Sequence, residues 1–126
     1  MAALPHKHTL PPGFVVLDGG LATACEAKGE DLSDSLWSAR LLLDAPEVLQ
    51  AVHSDFIQAG ARIVVTASYQ ACVQLLLTKT GSIEAASKLI ENSVCIARAA
   101  AFASTPPVLV AGSVGSYGAC LAGGQE

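Results

Sequence analysis

An aspartate closes the apolar run in "FVVLDGG", residues 14–20, and two glycines follow it at once. A single carboxylate where a buried strand should end can serve acid–base chemistry, or it can hold a cation. Two later runs end in the same polar way. "IVVTASYQ" turns polar at Thr66, Ser68 and Tyr69, and "VLVAGS" turns polar at Ser113. In parallel α/β folds such strand ends share one side of the sheet and carry the ligand site. The glycines of "DGG" and "GSVGSYG" have two readings. As phosphate cradles they fit neither GxGxxG nor GxxxxGK[ST], and no lysine follows. Glycines that let the backbone turn, or let it approach a ligand, fit better.

Something must position these residues, and the pattern between them supplies it. Phe14–Leu17 reads as a short buried strand. Leu21–Lys28 reads as a helix with Gly29 just past its end. Asp34 can cap a further short helix through "SLWSARLLL", where Trp37 among leucines reads as a packing anchor. Pro46–Ala59 is the clearest helix: Val48, Leu49, Val52, Phe56 and Ala59 share a face, Pro46 and Glu47 suit the first turn, and Gly60 suits the stop. His53 and Asp55 fall off that stripe and read as solvated. Ile63, Val64 and Val65 are β-branched and contiguous, as in a strand buried on both faces. Gln70–Leu77 reads as a short helix. Ser82 can cap a helix over Ile83–Phe102, with Ala86, Leu89, Ile90, Val94, Ala97 and Ala101 inward and Pro106 and Pro107 as its stop. "VLVAGS" is the next strand, followed by a glycine-rich loop. Strand, helices, strand, helices, strand is the order of two βα crossovers and the opening of a third, which implies a parallel sheet.

Composition limits the class. The chain has 126 residues, 52% hydrophobic and only 14% charged, so it wants a large buried core. A net charge of −4 without a basic stripe argues against a nucleic-acid partner. Residues 1–12 carry three prolines and no apolar core, so they read as a flexible leader rather than a signal peptide. His6 and His8 in that leader read as solvated tail residues. Residues 99–125 are uncharged, but prolines and glycines break them well short of a membrane span. Cys25, Cys72, Cys95 and Cys120 are far apart and form no CxxC pair, as in a reduced cytoplasmic protein.

Three blocks carry a resemblance: "LDGGLAT" at 17–23, "DLSDSLWSARLLLDAPEVLQAVHSDFIQAGARIVVTASYQA" at 31–71, and "VLVAGSVGSYGACLAGGQE" at 108–126. In order and spacing they resemble the homocysteine S-methyltransferases, which take a methyl group from S-methylmethionine or S-adenosylmethionine. The resemblance implies that residues 13–126 are the N-terminal part of a homocysteine-binding (β/α)8 TIM barrel. It implies zinc as cofactor, binding the homocysteine thiol as a thiolate that attacks the sulfonium methyl group to give methionine. It places Asp18 against the amino group of homocysteine, Gly19 beside the substrate, and Thr66, Ser68 and Tyr69 around the pocket.

The family's zinc rests on three cysteines, one on a late strand and an adjacent pair near the barrel's end. None of this chain's cysteines matches them, so no catalytic residue and no metal ligand is assigned within it. A barrel of this type needs about 250 residues. The chain is therefore expected to be the N-terminal portion of a longer enzyme and inactive in methyl transfer by itself. The competing expectation is a catalytically inactive short product that self-associates or binds a partner through an open sheet edge. A flavodoxin-like nucleotide binder shares the strand–helix order but lacks a phosphate motif.

Overall fold

In the computed structural model of the chain, which describes residues 12–33, 37–102 and 104–115, helices and strands follow the expected order. The elements are α1 (Leu21–Ala27), a 3-10 turn (Trp37–Arg40), α2 (Leu41–Asp44), α3 (Pro46–Gln58), β1 (Ile63–Val65), α4 (Val73–Thr80), α5 (Ile83–Ala101) and β2 (Leu109–Ala111). The leader with His6 and His8, the capping Asp34, the Trp37 side chain, and the glycine-rich loop from residue 116 with Cys120 lie outside the described residues.

β1 and β2 pair in parallel, with Ile63 opposite Leu109, Val64 opposite Val110 and Val65 opposite Ala111. The crossover between them is α4 and α5. Local chemistry sets the helix limits much as expected. Gly29 and Gly60, at φ of 96° and 111°, take the left-handed turns that end α1 and α3. The Ser82 hydroxyl accepts the Ala85 N–H at 3.0 Å and caps α5. α5 stops at Ala101, short of Pro106 and Pro107, and leaves Phe102 exposed. α4 starts three residues later than the sequence suggests. Ala71 N–H donates to the Ser68 carbonyl and Cys72 N–H to the Gln70 carbonyl, so a turn occupies that stretch until extended Cys72 releases the helix.

The core is mostly helical. Cys25, Leu41, Leu49, Val52, Leu76 and Ala86 are all fully or almost fully buried in one cluster. On α5 the inward set is Ala86, Ser93, Ile96 and Ala97, with Leu89, Ile90, Val94 and Ala101 half-buried beside it. Arg40 ties the loop after α1 to the 3-10 turn, donating to the Asp31 carbonyl at 2.7 Å and to Asp44 at 3.1 Å.

Three expectations need correction. Phe14–Leu17 is not a buried strand: only Leu17 forms a bridge, in parallel with Ile63, and Phe14, Val16 and Leu17 are all exposed. The segment lies along β1 through Arg62 N–H to the Val16 carbonyl (2.8 Å) and Asp18 N–H to the Ile63 carbonyl (3.0 Å). Val15 is half-buried, and among the described residues the other three side chains are left largely uncovered. β1 is buried on one face, not two. Val64 is fully buried, whereas Ile63 and Val65, which alternate to the opposite face, are half-buried. His53, expected on a solvated helix face, is completely buried. α3 packs against α1, α2, α5 and β1, so its buried arc is wider than the apolar stripe. His53 stands one turn after Leu49 and falls inside that arc. Asp55 does remain exposed, paired with Lys28 at 2.7 Å.

Candidate functional site

The sheet ladder ends at Val65 and Ala111, and side chains continue it on both sides. On one side, Asp18 Oδ2 accepts the Val65 N–H at 2.7 Å. On the other, the Thr66 N–H donates to the Ala111 carbonyl at 2.9 Å, and the Ser113 N–H donates to Thr66 Oγ1 at 2.9 Å. Ser68 Oγ donates to the Ser113 carbonyl at 2.8 Å and lies 2.7 Å from Thr66 Oγ1. The polar strand ends are thus drawn together by their own hydrogen bonds, across 47 residues between Asp18 and Val65 and again between Thr66 and Ser113.

Above this rim lies an open cleft of about 350 Å³. Asp18, Gly19, Thr66, Tyr69 and Ser113 line it. Ser68 does not; its hydroxyl is turned to Thr66 and Ser113 behind the wall. Thr66 is almost fully buried and Tyr69 is exposed at the mouth. Asp18 Oδ1 has no hydrogen-bond partner among the described residues.

Sequence reasoning missed part of the wall. Ser38 and Gln70 also line the cleft, and Ser38 Oγ donates to Gln70 Oε1 at 3.2 Å. Both stand inside the blocks "LWSA" and "TASYQA", but a contact between residues 32 apart leaves no local signal. Gly19 has a packing duty as well. A Cβ there would lie 3.0 Å from the Phe56 ring on α3, so the missing side chain makes room for that ring. Gly115 allows a close approach of another kind: a Cβ on it would run into the Tyr69 carbonyl oxygen.

His53 is a buried polar group whose two ring nitrogens have no hydrogen-bond partner among the described residues. Burial pushes its pKa below the ordinary 6.5, and the Asp18 charge only partly opposes this. The folded protein therefore holds His53 neutral. Just below pH 6.5 the unfolded chain binds a proton that the folded chain refuses, so stability is full above 6.5 and falls as pH drops. Thermal melting between pH 7.5 and 5.5, roughly the window where histidine alone titrates, is expected to show this loss. His53→Leu is expected to flatten it; an equal drop in both proteins would assign the acid sensitivity elsewhere.

The described residues do not make a metal site. No three His, Cys, Asp or Glu side chains among them converge as ligands. Cys25 is buried, Cys72 half-buried and Cys95 exposed, all as free thiols. Burial, then the Glu30 charge, raises the Cys25 pKa, the reverse of what a thiolate ligand needs. Among the described residues no helix is long and apolar enough to cross a membrane.

Residues 15–126 match the family model described as homocysteine S-methyltransferase. The chain is 50% identical to homocysteine S-methyltransferase 2 of Zea mays over 125 residues, covering 90% of this chain and 37% of that one. It is 49% identical to homocysteine S-methyltransferase of Escherichia coli over 120 residues, covering 90% and 38%. The crystal structure of the Escherichia coli homocysteine methyltransferase MmuM, metallated form, aligns with a TM-score of 0.78 at 44% identity, covering 90% of this chain and 42% of that one. The chain thus spans well under half the length of these relatives.

Proposed function

The chain belongs to the homocysteine S-methyltransferase family, and on that premise we propose that it forms the homocysteine-binding side of a methyltransferase built on a (β/α)8 barrel. One observation carries this reading. Asp18, Thr66 and Ser113 stand at the ends of neighbouring parallel segments and share one cleft. Active sites of such barrels sit at the C-terminal ends of the strands. Asp18 Oδ2 is committed to Val65, and Oδ1 is left for the ammonium group of homocysteine. Gly19, Thr66 and Tyr69 border the bound amino acid, and Ser68 supports Thr66 from behind.

In this reading S-methylmethionine or S-adenosylmethionine supplies the methyl group, and methionine is the product. Zinc would supply thiol activation in this reading, and no group of three metal-ligating side chains stands among the described residues to hold it. The part played by this chain is to hold the amino acid by its charged end and so aim the thiol. The exposed Phe14, Val16 and Leu17 are surfaces that the remaining barrel strands would cover. Self-association through the sheet edge would compete for the same groups, and no finding favours it. Free thiols at Cys25, Cys72 and Cys95 suit a reducing, cytoplasmic setting.

Titrating the isotope-labelled chain with homocysteine tests the reading. Amide resonances of Asp18, Gly19, Thr66 and Ser113 are expected to shift together and saturably. Shifts elsewhere, or none, would remove the cleft as the homocysteine site.

A further inference from the structure

Two stretches that border the cleft lie directly on each other. The turn at residues 66–70 follows β1, and residues 113–115 follow β2. Tyr69 of the first and Ser113 of the second both line the cleft. Ser113 is fastened to the turn at both of its backbone groups. Its N–H donates to Thr66 Oγ1 at 2.9 Å, and its carbonyl accepts from Ser68 Oγ at 2.8 Å. Further along, Gly115 lies so close to Tyr69 that no side chain fits. A Cβ on Gly115 would overlap the Tyr69 carbonyl oxygen, and would stand 3.1 Å from the carbonyl carbon and 3.2 Å from Cδ2 of the ring. The Gly115 backbone therefore seats both the main chain and one ring edge of Tyr69.

The need for glycine there is steric, not conformational. Gly115 is not among the glycines with positive φ, so its backbone angles do not call for glycine. Gly112, on the same stretch, shares that ordinary backbone, and a Cβ on it would meet nothing within 4 Å. A side chain at position 115 has to displace something the cleft uses. If the turn yields, Tyr69 shifts. If the chain lifts at Val114, whose side chain is exposed, the Tyr69 ring loses the backbone behind its edge. Tyr69 is 55% exposed, so it has little other packing to hold it in place.

We infer that Gly115 is a positioning residue for the cleft: by lacking a side chain it seats Tyr69, fixes where that ring stands at the mouth, and so sets how closely the cleft fits an amino-acid thiol. The inference rests on the proposed reading of the cleft as the homocysteine site. Gly115 does not line the cleft itself and acts through Tyr69.

The test measures homocysteine affinity in the whole chain and its variants. Gly115→Ala is expected to weaken binding about three- to tenfold, the worth of one aromatic contact. Tyr69→Ala should weaken it by about as much. Adding Gly115→Ala to Tyr69→Ala should cost less than about twofold more, because both changes remove the same interaction. Gly112→Ala, the same substitution in open space, should leave affinity within about twofold of the unsubstituted chain. A merely structural role predicts something different: Gly115→Ala lowers the denaturation midpoint, and the folded protein binds homocysteine as before.

Unchanged affinity in Gly115→Ala, an equal loss in Gly112→Ala, or losses that add in full in the double variant would each overturn the inference. If homocysteine still shifts the cleft resonances of the unsubstituted chain, the proposed function survives those results; if homocysteine does not bind there, both fall. A second measurement needs no variant and serves where Gly115→Ala does not fold. Nuclear Overhauser contacts between the Gly115 Hα protons and the Tyr69 ring are expected, and homocysteine should shift the Tyr69 ring and Gly115 amide resonances together. Homocysteine shifts at Asp18 and Thr66 that leave Tyr69 and Gly115 unmoved would also overturn the inference.

Discussion

Asp18→Asn will weaken homocysteine binding by about ten- to a hundredfold and leave the fold intact. The magnitude is that of one hydrogen bond to a charged group, about 1.5–3 kcal/mol, at about 1.4 kcal/mol per factor of ten. The fold survives because the proposed anchoring uses Oδ1, whereas the structural bond is made by Oδ2. Oδ2 accepts the Val65 N–H at 2.7 Å and joins the first segment to β1. An asparagine carbonyl can accept the same bond, so only the charge offered to the ammonium group is lost. Asp18→Ala loses both. It leaves the Val65 N–H without its partner, and it should destabilise the chain by about 1–3 kcal/mol in addition to abolishing binding. Titration calorimetry and denaturant unfolding on the two variants separate the duties. Wild-type affinity in the asparagine variant would show that Asp18 is a structural staple alone. Wild-type stability in the alanine variant would show that the Val65 bond contributes nothing to the sheet.

Leu49→Ala will cost about 2–5 kcal/mol, the range for deleting a fully buried leucine. Leu49 has no exposed surface and sits in the core cluster on α3, the helix that packs against α1, α2, α5 and β1. Helices on several sides cannot all close in on one cavity, so a cost in the upper part of that range is expected. Against a typical total stability of about 5–15 kcal/mol, this is enough to bring the chain near its unfolding midpoint at moderate denaturant. The site would follow. Phe56, two turns along the same helix, backs Gly19 in the cleft wall. A loss under about 1 kcal/mol would mean that α3 can shift to fill the gap, and that the rim does not depend on its placement.

Much of this could be read before any coordinates. α3 and α5 were legible because each carries its own start, stripe and stop: Pro46 and Gly60 for one, Ser82 for the other. β1 and β2 were legible as β-branched or apolar runs, and their parallel pairing followed from the helices between them. The polar residues at the strand ends were also legible, since Asp18, Thr66 and Ser113 each follow an apolar run and the parallel sheet sends all such ends to one side. The three matching blocks carried the family.

Only the tertiary structure decided what those residues do to one another. Periodicity reports which face of an element is apolar, but not how many neighbours cover it. That is why His53 read as solvated and is buried, and why Phe14–Leu17 read as buried and is exposed. Residue type reports that a hydroxyl can donate and accept, but not which it does. Ser68 donates to the Ser113 carbonyl and Thr66 accepts the Ser113 N–H, contacts between residues 45 and 47 apart along the chain. The sequence by itself determined most of the elements, the shared rim and the family, because those depend on local pattern and order along the chain. The tertiary structure decided that Asp18 Oδ2 staples the first segment to β1, and that Thr66, Ser68 and Ser113 are tied by hydrogen bonds at the rim, because both depend on which atoms meet in space.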